Sequence, residues 1–192
     1  PTNLAVTGIY FLTPYIFEII KKLKPSWRNE LEIADALQML IEENKKIIYG
    51  MITDFWKDTG TPEDIIEANK IILENMPESF QGKKEEHVIM EGKIIVGEGT
   101  IIKNGVKIIG SSIIGGNCII EGNTTIGENT SIGENAHLSD CNISDSIIMS
   151  NCTIKGELEI KNSIIASNSK IIKEKKKSKK KFILGEGTQI SL

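Results

Sequence analysis

The sequence predicts two architectures in one chain: an α/β segment over residues 1–76, then a solenoid of short β-strands over residues 88–192. Three observations lead there. Apolar residues recur at helical spacing in the first part, and aliphatic residues recur at every sixth position in the second. Isoleucine is heavily used while aromatics make up 5 % of the chain, which points away from an aromatic-rich core and toward a repetitive one.

The first segment "NLAVTGIYFL" (3–12) reads as a buried strand. Thr13-Pro14 then caps a helix in which Ile16, Ile19, Ile20 and Leu23 share one face, and Lys24-Pro25-Ser26 ends it. A second helix is expected from Glu30 to Asn44, with Ile33, Leu37, Leu40 and Ile41 on its apolar side, followed by a strand at "KIIYGMI" (46–52). In "FWKDTGTPED" (55–64), Thr61 is the N-cap of a third helix, Pro62 its first residue, and Glu63 and Asp64 favour the positive end of its dipole. Ile65, Ala68, Ile72 and Met76 form the predicted apolar stripe of that helix. Two strands do not make a stable sheet alone, so this segment is expected to be the end of a longer domain that begins before Pro1. Residues 77–87, "PESFQGKKEEH", carry proline, glycine and charge without periodicity and read as a linker.

Beyond the linker, Val96, Ile102, Ile108, Ile114, Ile120, Ile126, Ile132 and Leu138 stand six residues apart. After a break in phase around "SDCNISDS" (139–146) the step is expected to continue through Ile148, Ile154, Ile160, Ala166 and Ile172. Neither a helix nor an alternating strand has a period of six, whereas a solenoid of short strands does. Three positions after each inward aliphatic come Gly99, Gly105, Ser111, Asn117, Asn123, Asn129 and Asn135, mainly residue types that tolerate a left-handed corner. The next position holds Thr100, Val106, Ser112, Cys118, Thr124, Thr130 and Ala136, mostly small enough for the inside of a narrow prism.

Charge and cysteine usage exclude several functions. The net charge is −3, but Lys173 to Lys181 alone carries +6, leaving −9 for the rest. One lysine tract without interleaved aromatics or arginines is not a nucleic-acid footprint; it reads as a solvated excursion at 173–181 from a late coil. "FILGEGTQISL" (182–192) then resumes the motif and caps the stack. Cys118, Cys141 and Cys152 show no C-x-x-C spacing, which argues against a disulfide frame or structural zinc. No apolar run spans a bilayer and no signal peptide is visible, so no membrane partner is expected and the cytoplasm is the expected compartment.

The repeats "VGEGTI", "IGENTS" and "IGENAH" resemble the hexapeptide repeat of left-handed parallel β-helices, whose crossover sense is an exception to the usual rule. The motifs "AVTGIYF", "RNELEIAD" and "WKDTGTPED" resemble the C-terminal third of the nucleotidyltransferase domain of glucose-1-phosphate thymidylyltransferases, in the long form that carries a β-helix behind the catalytic domain. The resemblance covers essentially the whole chain and implies the C-terminal part of a nucleotide-diphospho-sugar transferase domain followed by a left-handed parallel β-helix. It implies dTTP and glucose 1-phosphate as substrates and Mg2+ as cofactor. It also implies that Val6 and Gly8, with Tyr10 nearby, line the sugar pocket, that Arg28 and Glu30 stand beside the sugar phosphate, and that Asp58 is a magnesium ligand. Asn29 stands where the family usually has glycine and Ala34 where it usually has threonine. The family's glycine-rich nucleotide loop, second acidic metal ligand and Glu-Lys-Pro motif belong to earlier segments, so no catalytic residue is assigned and this chain alone is expected to be inactive.

Two alternatives stand beside this reading. The β-helix is a structural or oligomerisation module, consistent with an expected homo-oligomer. Otherwise it is an acyltransferase acting on a sugar phosphate, with His137, the one histidine inside the repeat, as base.

Overall fold

The structure is a computed structural model that describes residues 4–173 and 182–183. The chain divides into two compact units, Pro1–Phe55 and Trp56–Leu192.

In the first unit, α1 (Ile16–Ile20) packs on α2 (Ile33–Glu42) through buried Ile16, Ile19, Ala36 and Leu40. Tyr15 donates to Glu43 at 2.5 Å, and Lys22 pairs with the same carboxylate at 2.9 Å. Thr13 and Pro14 start α1 through their backbone carbonyls, which accept from Ile16 and Phe17; no side chain caps it. The second helix begins at Ile33 rather than Glu30. Ser26 and Glu30 close a turn in which Asn29 sits at φ 59°, a left-handed conformation that no helix interior accepts. The two expected strands, 3–12 and 46–52, do not form among the described residues. A strand satisfies its backbone only against a neighbouring strand, and neither stretch pairs with one among the described residues.

In the second unit, α3 (Pro62–Asn75) precedes a parallel β-helix. One face stacks β1 (Ser79–Phe80), β4 (Ile94–Val96), β7 (Ser112–Ile114), β10 (Thr130–Ile132), β12 (Ile147–Ile148) and β14 (Ile164–Ile165). A second face stacks β2 (Lys83–Lys84), β5 (Ile101–Ile102), β8 (Ile119–Glu121), the first half of β11 (His137–Ser144), the first half of β13 (Thr153–Lys161) and β15 (Lys170–Ile172). The third holds β3 (Ile89–Glu91), β6 (Lys107–Ile109), β9 (Thr125–Ile126) and the second halves of β11 and β13. Residues 77–87 are therefore the start of the first coil rather than a linker. β1 and β2 pair with β4 and β5, because backbone hydrogen bonds to the next coil stabilise a strand whatever its side chains.

All eight aliphatics from Val96 to Leu138 are buried inside the prism, each worth roughly 1.5–3 kcal/mol. Gly99, Gly105, Asn117, Asn129 and Asn135 take the left-handed conformation as expected. At two corners Gly110 and Gly122, one residue earlier, take it in place of Ser111 and Asn123. The register steps 18 residues from Ile95 to Ile113 to Ser131, then 16 to Ile147 and 17 to Ile164. Shortening begins where β11 runs through a corner without a turn, which is the break in phase seen in the sequence. It brings Ile143 inward and moves the last inward positions from Ala166 and Ile172 to Ile165 and Ile171.

A final strand, β16 (Phe182–Ile183), pairs antiparallel with β15, so the chain returns against the last described coil rather than continuing the wind. The lysine excursion expected at 173–181 and the residues after 183 lie outside the described residues, apart from Lys173.

Candidate functional site

In the first unit, Val6, Gly8 and Tyr10 lie on a stretch without regular structure and are solvent-exposed; Gly8 has φ 79° with open space where a Cβ would stand. Arg28 lies inside the turn, closed by Ser26 and Glu30, that precedes α2. Its Nε and Nη2 donate to Oε1 of Glu32 at 3.0 and 2.7 Å, and Nη2 also reaches Oε2 at 2.8 Å, while Ser26 Oγ adds a bond of 2.9 Å. The guanidinium lies 5.9 Å from the centre of the Trp27 ring. The Arg28 and Ser26 bonds hold the Glu32 carboxyl below the usual carboxylate range. Glu32 thus orients Arg28. Sequence reading passed over it although the two stand four apart, the spacing at which opposite charges meet. Glu30 contributes its carbonyl to the turn through Ser26 N–H at 2.8 Å. Among the described residues no hydrogen bond or ion pair joins Val6, Gly8 or Tyr10 to Arg28 or Glu30.

Asp58 belongs to the second unit, in the loop that leads into α3. The helix start is as predicted. Thr61 Oγ1 accepts from the Asp64 N–H at 3.2 Å, and the Asp64 carboxylate accepts from the Thr61 N–H, also at 3.2 Å. The Thr61 hydroxyl donates to the same carboxylate at 2.7 Å, and this bond, with Lys57 beside it, holds the Asp64 pKa below its ordinary value. Lys57 reaches Asp64 at 2.9 Å and also pairs with Glu67, so the loop is tied to the first turns of α3. Nothing in the sequence patterning drew attention to Lys57, since its partners lie seven and ten residues away. Asp64 and Glu67 are committed to these structural bonds. Asp58, by contrast, is exposed and makes no hydrogen bond or ion pair among the described residues. It is a hard oxygen donor of the type a divalent cation prefers. However, no group of three or more His, Cys, Asp or Glu side chains among the described residues is arranged to hold a metal ion. Among the described residues Asp58 is one candidate ligand and not a coordination set.

On the second face of the β-helix, Glu121 lies between Lys103 at 2.6 Å and His137 Nε2 at 2.5 Å. The lysine first, then the histidine, bring the Glu121 carboxyl down to about 2. These three side chains come from three successive coils and clamp them together. Depressions nearby, one beside Lys84 and Asn104 and another beside Asn123 and Glu159, do not include His137. All three cysteines are buried, and burial pushes their thiols up, Cys141 to about 11. None is therefore placed to act as a nucleophile. No described helix is long and apolar enough to cross a membrane.

In chain order, a helical segment that carries these motifs precedes a parallel β-helix. Residues 1–75 match the family model described as "Nucleotidyl transferase", and residues 108–191 match the one described as "GMPPB C-terminal domain". The chain is 41 % identical over 113 residues to the glucose-1-phosphate thymidylyltransferase of Streptomyces antibioticus, covering 59 % of this chain and 32 % of that protein. It is 44 % identical over 98 residues to the low-salt glycan biosynthesis nucleotidyltransferase Agl11 of Haloferax volcanii, covering 51 % and 28 %. To the bifunctional protein GlmU of Methanocaldococcus jannaschii it is 43 % identical over 101 residues, covering 52 % and 24 %. The chain therefore spans 24–32 % of the length of these relatives. Each match is a similarity over part of this chain, and the stretch matched to the nucleotidyl transferase model is less than half of it. Among solved structures, a perosamine N-acetyltransferase variant from Caulobacter crescentus overlaps 77 % of this chain and 74 % of its own at a TM-score of 0.36 and 16 % identity.

Proposed function

We propose that the intact protein is a sugar-1-phosphate nucleotidyltransferase that forms dTDP-glucose and pyrophosphate from dTTP and glucose 1-phosphate. The observation that carries this reading is the match of residues 1–75 to the nucleotidyl transferase family, over the stretch that holds all three motifs. In the reaction a phosphate oxygen of glucose 1-phosphate attacks the α-phosphorus of dTTP in line, and the bond from that phosphorus to the oxygen bridging to the β-phosphate breaks, releasing pyrophosphate. This chain would serve the acceptor side. Arg28, whose Nε–Nη2 edge is held by Glu32, would offer the free Nη1 side of its guanidinium to the sugar phosphate, with Glu30 beside the phosphate. Val6, Gly8 and Tyr10 would line the sugar, with Gly8 allowing the backbone to approach it closely. Asp58 would be one oxygen ligand of magnesium, which neutralises charge on the transferring phosphates when bound.

The test is pyrophosphate release by the intact protein, with each nucleoside triphosphate in turn and glucose 1-phosphate as acceptor. Release that is fastest with dTTP and depends on the sugar phosphate supports the reading, whereas a clear preference for another triphosphate transfers it to that branch. No release with any triphosphate refutes it.

For the β-helix we infer a structural role, favoured by the bonds that fasten α3 to it. Asn69 and Lys70 on α3 reach Asn129, Ser131 and Asp145, and Lys93 reaches back to the carbonyl of Glu74 at 2.6 Å.

A further inference from the structure

We propose that the β-helix sets the position of Asp58 through a polar brace on α3, in which Asn69, Lys70, Ser131 and Asp145 are positioning residues for nucleotidyl transfer; this rests on reading Asp58 as part of the transferase site.

The apolar stripe that α3 buries is not the one its sequence advertises. Ile65 and Ile72, expected inside, are 39 % and 57 % exposed, while Ile66 and Leu73 are buried at 9 % and 3 %. The helix is therefore turned by about one residue, and between its two anchors, at the centre of the buried stripe, stands Asn69. Simple docking would place an aliphatic there. Instead both ends of the Asn69 amide are used: Oδ1 accepts from the Ser131 hydroxyl at 2.5 Å, and Nδ2 donates to the Asn129 carbonyl at 2.9 Å. Aliphatic contacts tolerate sliding and rotation, but a two-ended amide bond has one register and one rotation.

The brace continues into the coils. Asn129 occupies a left-handed corner at φ 56°, and its side-chain amide donates to Asp145 Oδ1 on the next coil at 2.9 Å. Lys70 pairs with that same oxygen at 3.1 Å, next along the helix from Asn69. Lys93 holds the last turn of α3 by its Glu74 carbonyl. At its other end the helix grips the Asp58 loop through the Thr61–Asp64 box and through Lys57. Asn69 lies eight residues from Thr61, about 12 Å along a stiff helix. Rotation of α3 about its axis would carry the loop with it, and the brace forbids that rotation.

Ser131→Thr keeps the hydroxyl, and Ser131→Val has the shape of that threonine without the hydroxyl, so the pair isolates the hydrogen bond from the added bulk. In hydrogen exchange on the 192-residue chain, Ser131→Val should accelerate the amides of α3 and of residues 56–61 together, at least tenfold, with the β-helix core unchanged and Ser131→Thr like wild type. In the intact transferase the same variant should lower kcat at least fivefold with KM for the sugar phosphate within twofold, and Ser131→Thr should restore it. Loop amides that keep wild-type exchange while those of α3 accelerate overturn the proposal, as does an unchanged kcat when both accelerate. If the intact wild-type protein transfers no nucleotide, the functional reading fails, while the exchange data still decide whether the brace governs the loop.

Discussion

Replacement of Gly115 by alanine tests the packing logic of the β-helix. A Cβ at this position would lie 2.6 Å from the backbone nitrogen of Glu134, 2.8 Å from the carbonyl carbon of Gly133 and 3.0 Å from Cα of Glu134. Comfortable contacts are about 3.5–4.0 Å, so the methyl overlaps three backbone atoms by up to about 1 Å. No side chain can swing away to relieve it. The coils are held at the usual strand spacing of about 4.8 Å, and Gly115 N–H bonds the Ile132 carbonyl at 2.7 Å. Overpacking costs typically about 1–3 kcal/mol, and losing that bond adds about 1 more, giving a destabilisation of about 2–4 kcal/mol. Gly97 and Gly133 stand in the same column, with approaches of 2.6 and 2.5 Å to the coil above. Two controls separate this from backbone strain. At Gly105 the φ is 86° but the nearest atom is 3.4 Å away, so alanine there costs about 1–2 kcal/mol for the left-handed conformation alone. At Gly60 the nearest atom is 3.8 Å away and the cost should stay within about 0.5 kcal/mol. Urea unfolding followed by far-UV circular dichroism gives the three values. A Gly115→Ala cost no larger than that of Gly105→Ala would refute close coil approach as the reason for glycine after Val96, Ile114 and Ile132 on this face.

Further outcomes follow from the same structure. Ser112 is buried inside the prism and its hydroxyl finds no partner among the described residues, so Ser112→Ala should be neutral or stabilising by up to about 1 kcal/mol. Thr100, one coil earlier, donates to the Gly115 carbonyl at 2.6 Å and accepts from Cys118 N–H at 2.9 Å, so Thr100→Val should cost about 1–3 kcal/mol in the same unfolding assay. Glu121 has its folded pKa depressed to about 2, so its contribution is full above its unfolded pKa near 4.5 and is lost as pH falls through about 2. A quarter-exposed carboxylate is partly screened, which leaves about 1 kcal/mol; Glu121→Gln should remove that part of the acid dependence, measured as the urea midpoint between pH 5 and pH 2.

The β-helix was legible because its period is written in side chains: a residue that points inward at every coil must be aliphatic at every coil, from Val96 to Leu138. Where β11 runs through a corner the period itself changes, and no six-residue rule can carry through to Ile165 and Ile171. The strands expected at 3–12 and 46–52 failed for another reason: β-structure depends on a partner, and the local sequence holds no record of one. The face of α3 was misjudged because a polar residue, Asn69, sits at its centre, and an apolar pattern cannot show that. At the candidate site, Thr61, Pro62 and Asp64 announced the helix start through capping chemistry, and Asn29 held its left-handed turn. Glu32 and Lys57 came to light only when their partners were placed. The roles of Val6, Gly8, Tyr10, Arg28, Glu30 and Asp58 rest on likeness of motif, since spacing alone names no substrate.

Under the proposed function Asp58 serves chemistry while Asp64 and Glu67 serve the fold. This division is tested most directly by nucleotidyl transfer in the intact protein carrying Asp58→Asn, with the unfolding midpoint measured alongside. Turnover should fall at least 100-fold, on the order of 3 kcal/mol in the barrier, with an unchanged midpoint because Asp58 has no structural partner among the described residues. Turnover at the wild-type rate would contradict it and leave Asp58 as a residue of the turn before Thr61.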